Sequence, residues 1–173
     1  MLMPIFMPAQ QWSTLLTTSL NNPNNAWGGY CVVLALPALS KLGSSYRVTL
    51  QPSSGGSNLV LASVWFGMAG SAPSFDGNQV QASFSGSAGV TITAGGASVV
   101  SDPFTPAVQF NTSGTPLLAL GITSGDLYED NGATGYTFYY KAGDSANAGG
   151  TTKSGYGSVA SRVSALAKLE VLT

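Results

Sequence analysis

One short motif in the sequence, Gly143-Asp144-Ser145, could carry nucleophilic chemistry. It follows a predicted strand over residues 136–141, the position that a nucleophile turn takes in serine hydrolases. A serine nucleophile needs a base to take its proton and an acid to orient that base. The sequence contains no histidine to serve as the base. We therefore interpret the motif as a polar turn and predict that the protein is not an enzyme and has no catalytic residues.

A second group of residues could bind a metal ion. Asp126, Glu129 and Asp130 lie within five positions, and hard cations such as Ca²⁺ bind several oxygen ligands. Their spacing does not match a calcium-binding loop, and we interpret them as a solvated turn between two strands. With one cysteine, Cys31, and no histidine, a zinc site would depend on carboxylates alone. We predict no metal site and no cofactor.

The aromatic residues are the stronger candidates for contacts with a partner. Exposed aromatic rings stack on sugars and anchor protein interfaces. Trp65 and Phe66 are adjacent in a predicted strand, so one belongs to the core and the other to a surface. The same alternation separates Tyr139 from its aromatic neighbours. We predict that Trp65, Tyr139, Trp12 and Phe6 contact a ligand or an interface.

The elements that position these residues are predicted from hydrophobic spacing. Over residues 9–20 the spacing of Trp12, Leu15, Leu16 and Leu20 predicts a short helix, which an Asn-rich turn with Pro23 ends. After this turn the apolar period becomes two. Ten strands are predicted, over residues 30–36, 46–51, 59–66, 79–84, 90–93, 98–101, 107–110, 117–123, 136–141 and 165–172.

Short strands separated by frequent turn signals are typical of a sandwich or barrel. Glycine-rich breakers such as Ser53-Ser54-Gly55-Gly56 and Ala94-Gly95-Gly96 lie between the predicted strands. Residues 143–157, rich in small residues, are predicted to form a long surface loop. The predicted fold class is all-β, a jelly-roll-like antiparallel β-sandwich with an N-terminal arm and a short helix.

The charge composition excludes several classes of partner. Six Lys or Arg and seven Asp or Glu make only 8% of the 173 residues charged, against about 25% in an average domain. Six dispersed cations do not form a basic stripe, so we predict no nucleic-acid partner. The longest apolar run, over residues 31–39, is about half the ~20 residues of a membrane helix, so we predict no membrane partner. A nearly neutral surface favours association.

Part of the chain is similar to a known protein family. The segments 80–86 (VQASFSG), 89–96 (GVTITAGG) and 99–103 (VVSDP) occur in this order. They resemble the non-catalytic β-sandwich module that accompanies the catalytic domain of SGNH/GDSL-type esterases. The resemblance is clearest over residues 80–103 and extends more weakly over residues 45–125. It implies a jelly-roll architecture and an accessory or binding role without hydrolysis.

The last of these segments contains a predicted structural corner. The residue before a proline is restricted to extended geometry, which applies to Asp102 before Pro103. A carboxylate in such a position accepts hydrogen bonds from backbone N–H groups of the turn. We predict that Asp102 and Pro103 form a structural turn.

The domain organisation predicted from the sequence has two parts. Residues 1–28 form an N-terminal arm and short helix that contact a neighbouring subunit, and residues 29–173 form a single β-sandwich domain. The alternative for the arm is that it packs back on its own domain.

The function that these observations favour is a non-enzymatic structural protein of a virus particle. A bacteriophage capsid decoration, head spike or tail-fibre component combines low charge, a β-sandwich and an apolar arm. Its partners would be other copies of the chain and other virion proteins, and it would reside in the virion after assembly in the host cytoplasm. The alternative is a carbohydrate-binding or adhesion module related to the esterase accessory domains. A host surface glycan is therefore a further candidate partner.

Overall fold

The computed structural model describes residues 9–24 and 26–173 and shows an all-β chain, so the predicted fold class is confirmed. All strand pairs are antiparallel. The strands are β1 Trp12–Thr17, β2 Asn22–Asn24, β3 Tyr30–Ala35, β4 Ser45–Leu50, β5 Leu59–Ser71, β6 Ser74–Phe75, β7 Val80–Ala82, β8 Val90–Ile92, β9 Val99–Val100, β10 Pro116–Ser124, β11 Leu127–Asp130, β12 Thr137–Ala142, β13 Gly157–Ala160, β14 Val163–Ser164 and β15 Leu166–Leu172.

Two sheets form the sandwich. The smaller sheet has the strand order β1-β15-β4-β9. The larger sheet has the order β13-β12-β3-β10-β5-β6, and β7 and β8 also pair with β5. Three short strands, β14, β11 and β2, form a third sheet. Within residues 9–24 and 26–173, no helix has the length and apolar character needed to span a bilayer.

The main core lies between the two sheets and is built by alternation along each strand. On β4 of the smaller sheet, Tyr46 and Val48 are buried. In the larger sheet, Phe66 of β5 and Phe138 of β12 are buried in the same core. The ring centroids of Tyr46 and Phe66 lie 6.1 Å apart, and those of Tyr46 and Phe110 lie 5.0 Å apart. Full burial of a large apolar side chain contributes about 1.5–3 kcal/mol, so this aromatic cluster joins the sheets strongly.

The predicted helix over residues 9–20 is wrong. This segment contains β1, which pairs with β15 from Trp12 opposite Leu172 to Thr17 opposite Lys168. The register shifts between Thr14 and Leu16, as at a β-bulge. Because a bulge interrupts strict alternation, the apolar residues of this strand are spaced three to four apart, as they would be in a helix.

Three other segments differ from their predictions. Residues 107–110 form no strand. The acidic segment that was predicted to be a turn is β11, because it pairs with β2 and β14. Residues 143–156, which we call the cover segment, do not form a free surface loop. They contain a short 3₁₀ turn, Ser145–Asn147, and pack on the outer face of the larger sheet.

The cover segment explains why β3 is apolar at nearly every position. Val32 and Leu34 face the main core, whereas Cys31, Val33 and Ala35 face a second cluster beneath the cover segment. A strand that is buried on both faces has a continuous apolar sequence in place of alternation. The larger sheet is therefore the middle layer of the molecule.

Candidate functional site

Trp65 and Tyr139 lie on the same outer face of the larger sheet. Tyr139 is paired with Val33 of β3, which is paired with Ala119 of β10. Ala119 is in turn paired with Trp65 of β5. Neighbouring strands are about 4.8 Å apart, so this row separates the two aromatic residues by about 14 Å. Phe66 is buried in the main core, as alternation with Trp65 predicts.

The cover segment lies directly on this row. The Trp65 ring is so close to Gly149 that a Cβ there would be 2.6 Å from it. On β10, a Cβ at Gly121 would be 2.5 Å from the carbonyl oxygen of Ser145. Gln79 Nε2 also donates a 2.7 Å hydrogen bond to the Gly149 carbonyl. Because Gly121 and Gly149 have no side chains, the cover segment can pack directly on the sheet. Trp65 is half-buried beneath the cover segment.

Polar contacts hold the two ends of the cover segment together. The Tyr156 hydroxyl donates a 2.7 Å hydrogen bond to Asp144 Oδ2, and Asn147 Nδ2 donates to the same oxygen at 3.3 Å. Lys141 Nζ lies 4.0 Å from this oxygen and donates to the Ser154 carbonyl at 3.0 Å. Burial, together with its hydrogen-bond acceptors, raises the pKa of Tyr156, so its hydroxyl stays a proton donor.

Lys153 is a buried charged residue of the cover segment. It donates from Nζ to the Gly150 carbonyl and from its backbone N–H to Ser74 Oγ at 2.9 Å. Its Nζ lies 4.9 Å from the centroid of the Phe75 ring. Burial lowers the pKa of Lys153 and raises the pKa of the Cys31 thiol. A thiol with a raised pKa is a poor nucleophile, so Cys31 has the character of a packing residue.

Trp12 lies outside this face, on the smaller sheet. The guanidinium of Arg47 covers its ring at 4.3 Å from the centroid. Arg47 Nε also lies 2.8 Å from Glu170 Oε2, and Lys168 Nζ lies 3.2 Å from Glu170 Oε1. The hydrogen bond from Arg47 is the main cause that lowers the pKa of Glu170. Phe6 belongs to residues 1–8, which lie outside the described residues.

Asp126 lines a depression of about 630 Å³. Its carboxylate accepts hydrogen bonds from the backbone N–H of Ser57 at 2.7 Å and of Ala26 at 3.2 Å. Both oxygens are thus used to tie two loops together. The depression is lined by Ala26, Gly28, Gly56, Ser57, Ser124, Gly125 and Asp126.

The structure does not bring the three acidic residues together. Along β11 the side chains alternate, so buried Glu129 and partly exposed Asp130 point to opposite faces. Glu129 Oε2 lies 3.7 Å from Arg162 Nη1, and Asp130 accepts from the Gly132 N–H at 2.8 Å. In the described part of the chain, no group of three or more His, Cys, Asp or Glu residues is arranged to hold a metal ion.

Asp102 joins two turns that are distant in the sequence. Its carboxylate accepts hydrogen bonds from Ser83 Oγ at 2.7 Å and from the backbone N–H groups of Gly86 at 2.8 Å and Ser85 at 3.1 Å. The hydrogen bond from Gly86 is the main cause that lowers the pKa of Asp102. The aspartate of the segment 99–103 thus caps the turn of the segment 80–86, and two of the segments that resemble the esterase module are in direct contact.

Comparison with known proteins adds no family assignment, because no protein-family model and no curated protein matches the sequence. The resemblance to the accessory module of SGNH/GDSL-type esterases therefore remains a prediction.

The sequence alone did not indicate which residues anchor the cover segment. Lys153 and Tyr156 occur in a stretch of small residues that indicates only a loop. The proximity of Asp144 to Tyr156 was a detectable signal, since a loop that begins with an acid and ends with an aromatic hydroxyl can close on itself. The burial of Cys31 beneath the cover segment depends on the strand order, which the spacing of apolar residues does not reveal.

Replacing Gly149 with valine will lift the cover segment off the sheet, because the added side chain collides with the Trp65 ring. Cys31, the single cysteine of the chain, then becomes a chemical probe of the exposed face. We expect the rate of its reaction with a thiol reagent under native conditions to rise about tenfold or more. Gly55→Val is the matched control, because a Cβ at Gly55 meets open space. Equal labelling rates in both variants would show that the segment does not cover Cys31.

Replacing Asp102 with asparagine will remove an acid-dependent part of the stability. The pKa of Asp102 in the folded protein is below its ordinary value of 3.8, so its stabilisation is complete above that pH and is lost as the pH falls through the folded pKa. We expect a lower melting temperature for Asp102→Asn at pH 7 and a difference that shrinks below about pH 3.8.

Asp76→Asn serves as the control for this measurement, since Asp76 accepts one hydrogen bond, from the Asn78 N–H in an exposed turn. Its melting temperature should stay near that of the wild type at both pH values. A gap between wild type and Asp102→Asn that is constant from pH 7 to about pH 2 contradicts the carboxylate role.

Proposed function

We propose that the chain is a non-enzymatic structural protein of a virus particle, of the kind that decorates a bacteriophage capsid, forms a head spike or belongs to a tail fibre. It works by assembling with other copies of itself and with other virion proteins. The single observation that carries the proposal is that the charged side chains of the chain are paired with groups of the same chain. Every charged side chain except Lys41 has a hydrogen-bond or ion-pair partner within the described part of the chain.

The charges fall into three structural roles. Some form ion pairs, as Arg47 does with Glu170. Others cap backbone N–H groups of turns, as Asp102 does. Lys153, within the cover segment, is buried and donates to the Gly150 carbonyl. The exterior that remains is made mainly of small and uncharged polar residues, and its Coulomb repulsion between copies is weak.

A few aliphatic side chains interrupt this neutral surface. The large hydrophobic residues that are exposed in the described chain are Leu42, Val100 and Val108, with 37%, 48% and 53% of their surface accessible. The segments that carry Leu42 and Val108 are joined by a 3.1 Å hydrogen bond from Gln109 Nε2 to the Gly43 carbonyl. Apolar side chains surrounded by uncharged polar ones are typical of the centre and rim of protein interfaces.

The chemistry of the chain supports a role without catalysis. Ser145, the serine of the Gly-Asp-Ser motif, belongs to the 3₁₀ turn of the cover segment. The adjacent Asp144 accepts the hydroxyl hydrogen of Tyr156. The sequence contains no histidine that could activate the serine. The motif is thus used to fasten a covering layer.

The proposal predicts an oligomer whose stability is insensitive to salt. Sedimentation velocity at a series of concentrations should show a species larger than the 17.6 kDa monomer. Because screened charge pairs contribute little to the contact, the association constant should change less than about threefold between about 0.05 and 0.5 M salt.

Introducing a charge at the apolar contacts should weaken this association. Val108→Lys and Val100→Lys each place a cation that an interface would have to desolvate, so we expect about a tenfold or greater loss of association. Thr151→Lys adds the same charge at an exposed position of the cover segment and should leave it unchanged. A chain that stays monomeric at all concentrations would contradict self-assembly.

A further inference from the structure

We propose that a second depression, beside Tyr128, is a binding site for a neutral saccharide. Its volume is about 280 Å³, which is near the lower end of the range for small-molecule pockets. The site lies on the outward-facing side of β11, where Tyr128 is half-buried. The depression is lined by Gln51, Pro52, Ser53, Ser54, Gly95, Gly96, Ser98 and Tyr128.

Ala165 joins the backbones of Gln51 and Tyr128, which carry the two largest polar side chains of the site. Gln51 donates its backbone N–H to the carbonyl of Ala165 at 2.7 Å. The N–H of Ala165 in turn donates to the carbonyl of Tyr128 at 2.8 Å. Ala165 has a φ of 54°, in the left-handed region that non-glycine residues rarely adopt. Strained backbone of this kind is concentrated at functional sites, because surrounding structure must hold it in place.

The two loops that form the opposite wall are also fixed to each other. The N–H of Gly95 donates to the Ser53 carbonyl at 2.7 Å, and Ser53 Oγ donates to the Gly55 carbonyl at 2.7 Å. Ala94 donates its N–H to Asn58 Oδ1 at 3.0 Å. Hydrogen bonds therefore hold the Ser53 loop and the Gly95 loop beside each other. A preformed site of this kind loses little entropy when a ligand binds.

The chemistry of the lining selects the class of ligand. None of the lining residues is charged, so a phosphate, a carboxylate or an ammonium ion would find no counter-charge there. The side chains supply serine hydroxyls, a glutamine amide and an aromatic ring. Hydroxyl and amide groups both donate and accept hydrogen bonds, as the hydroxyls of a sugar do. The ring of Tyr128 provides an apolar surface for the C–H face of a pyranose.

Two glycines line the depression. Gly95 and Gly96 place no side chain in it. Gly56 and Ser57, which follow on the same loop as Ser53 and Ser54, line the Asp126 depression. All the residues that line the Tyr128 site belong to one chain.

Direct titration with small neutral sugars tests this proposal. The probes are the methyl glycosides of glucose, galactose, mannose and N-acetylglucosamine, followed by ligand-observed and protein-observed NMR. We expect at least one of them to bind with a dissociation constant of about 1–20 mM. Methyl glucuronide and glucosamine, the charged analogues, should bind no more tightly than the neutral sugars.

Two variants locate the binding to the site. Tyr128→Leu removes the ring and should weaken binding about tenfold, and Gln51→Ala removes the amide and should weaken it about threefold or more. The matched control is Tyr140→Leu, which removes a half-buried tyrosine of β12 that does not line the depression and should leave binding unchanged. Circular dichroism and thermal melting establish that each variant is folded.

Weaker binding in the Tyr128 and Gln51 variants, with no loss in the Tyr140 variant, supports the site. If Tyr128→Leu does not fold, the result for Gln51→Ala decides alone. The proposal is overturned if none of the four neutral glycosides binds up to about 50 mM, if binding survives at full strength in the folded variants, or if the charged analogues bind more tightly.

Discussion

The structure depends on the burial of its larger sheet on both faces. One face packs on the smaller sheet through a continuous aromatic and aliphatic core, and the other is closed by the cover segment. This second contact requires close approach of backbone to sheet, which Gly121 and Gly149 permit because they have no side chain. The central strands can then be apolar on both faces without exposing an apolar surface to water.

The same constraint determines how the few charged residues are used. A layer of small residues over an apolar sheet needs anchors, and Lys153 and Asp144 supply them from within the segment itself. At the far sheet, Glu170 and its two cationic neighbours lie on the outer face. Because the charges hold the fold together, the exterior presents hydroxyls, amides and backbone.

The sequence predicted the parts of the fold that depend on local alternation. β4 carries an alternating apolar pattern, and its position agrees with the prediction to within one residue. The alternation of Trp65 and Phe66 likewise predicted which faces they occupy relative to each other. These features are local, since successive side chains of a strand point to opposite sides whatever the strand pairs with.

The failures share a non-local origin. The bulge in β1 gave Trp12 and the following leucines a helical spacing, and only the pairing with β15 shows a strand. The polar residues of β11 favoured the prediction of a turn. Glu129 is buried there because it pairs with Arg162, which is distant from it in the sequence. A composition of small residues predicts a loop, whether that loop extends into solvent or lies against a sheet. The pocket beside Tyr128 is assembled from two loops and β11, which only the strand order brings together.

The central claim is that this chain is a building block of a virus particle, and the composition of such particles tests it most directly. Particles from the organism that encodes the chain are purified on a density gradient, and their peptides are quantified by mass spectrometry. The account predicts peptides of this chain that co-sediment with the particles in a fixed ratio to the major capsid or tail protein. Peptides found only in the soluble fraction, and absent from intact particles, would contradict it.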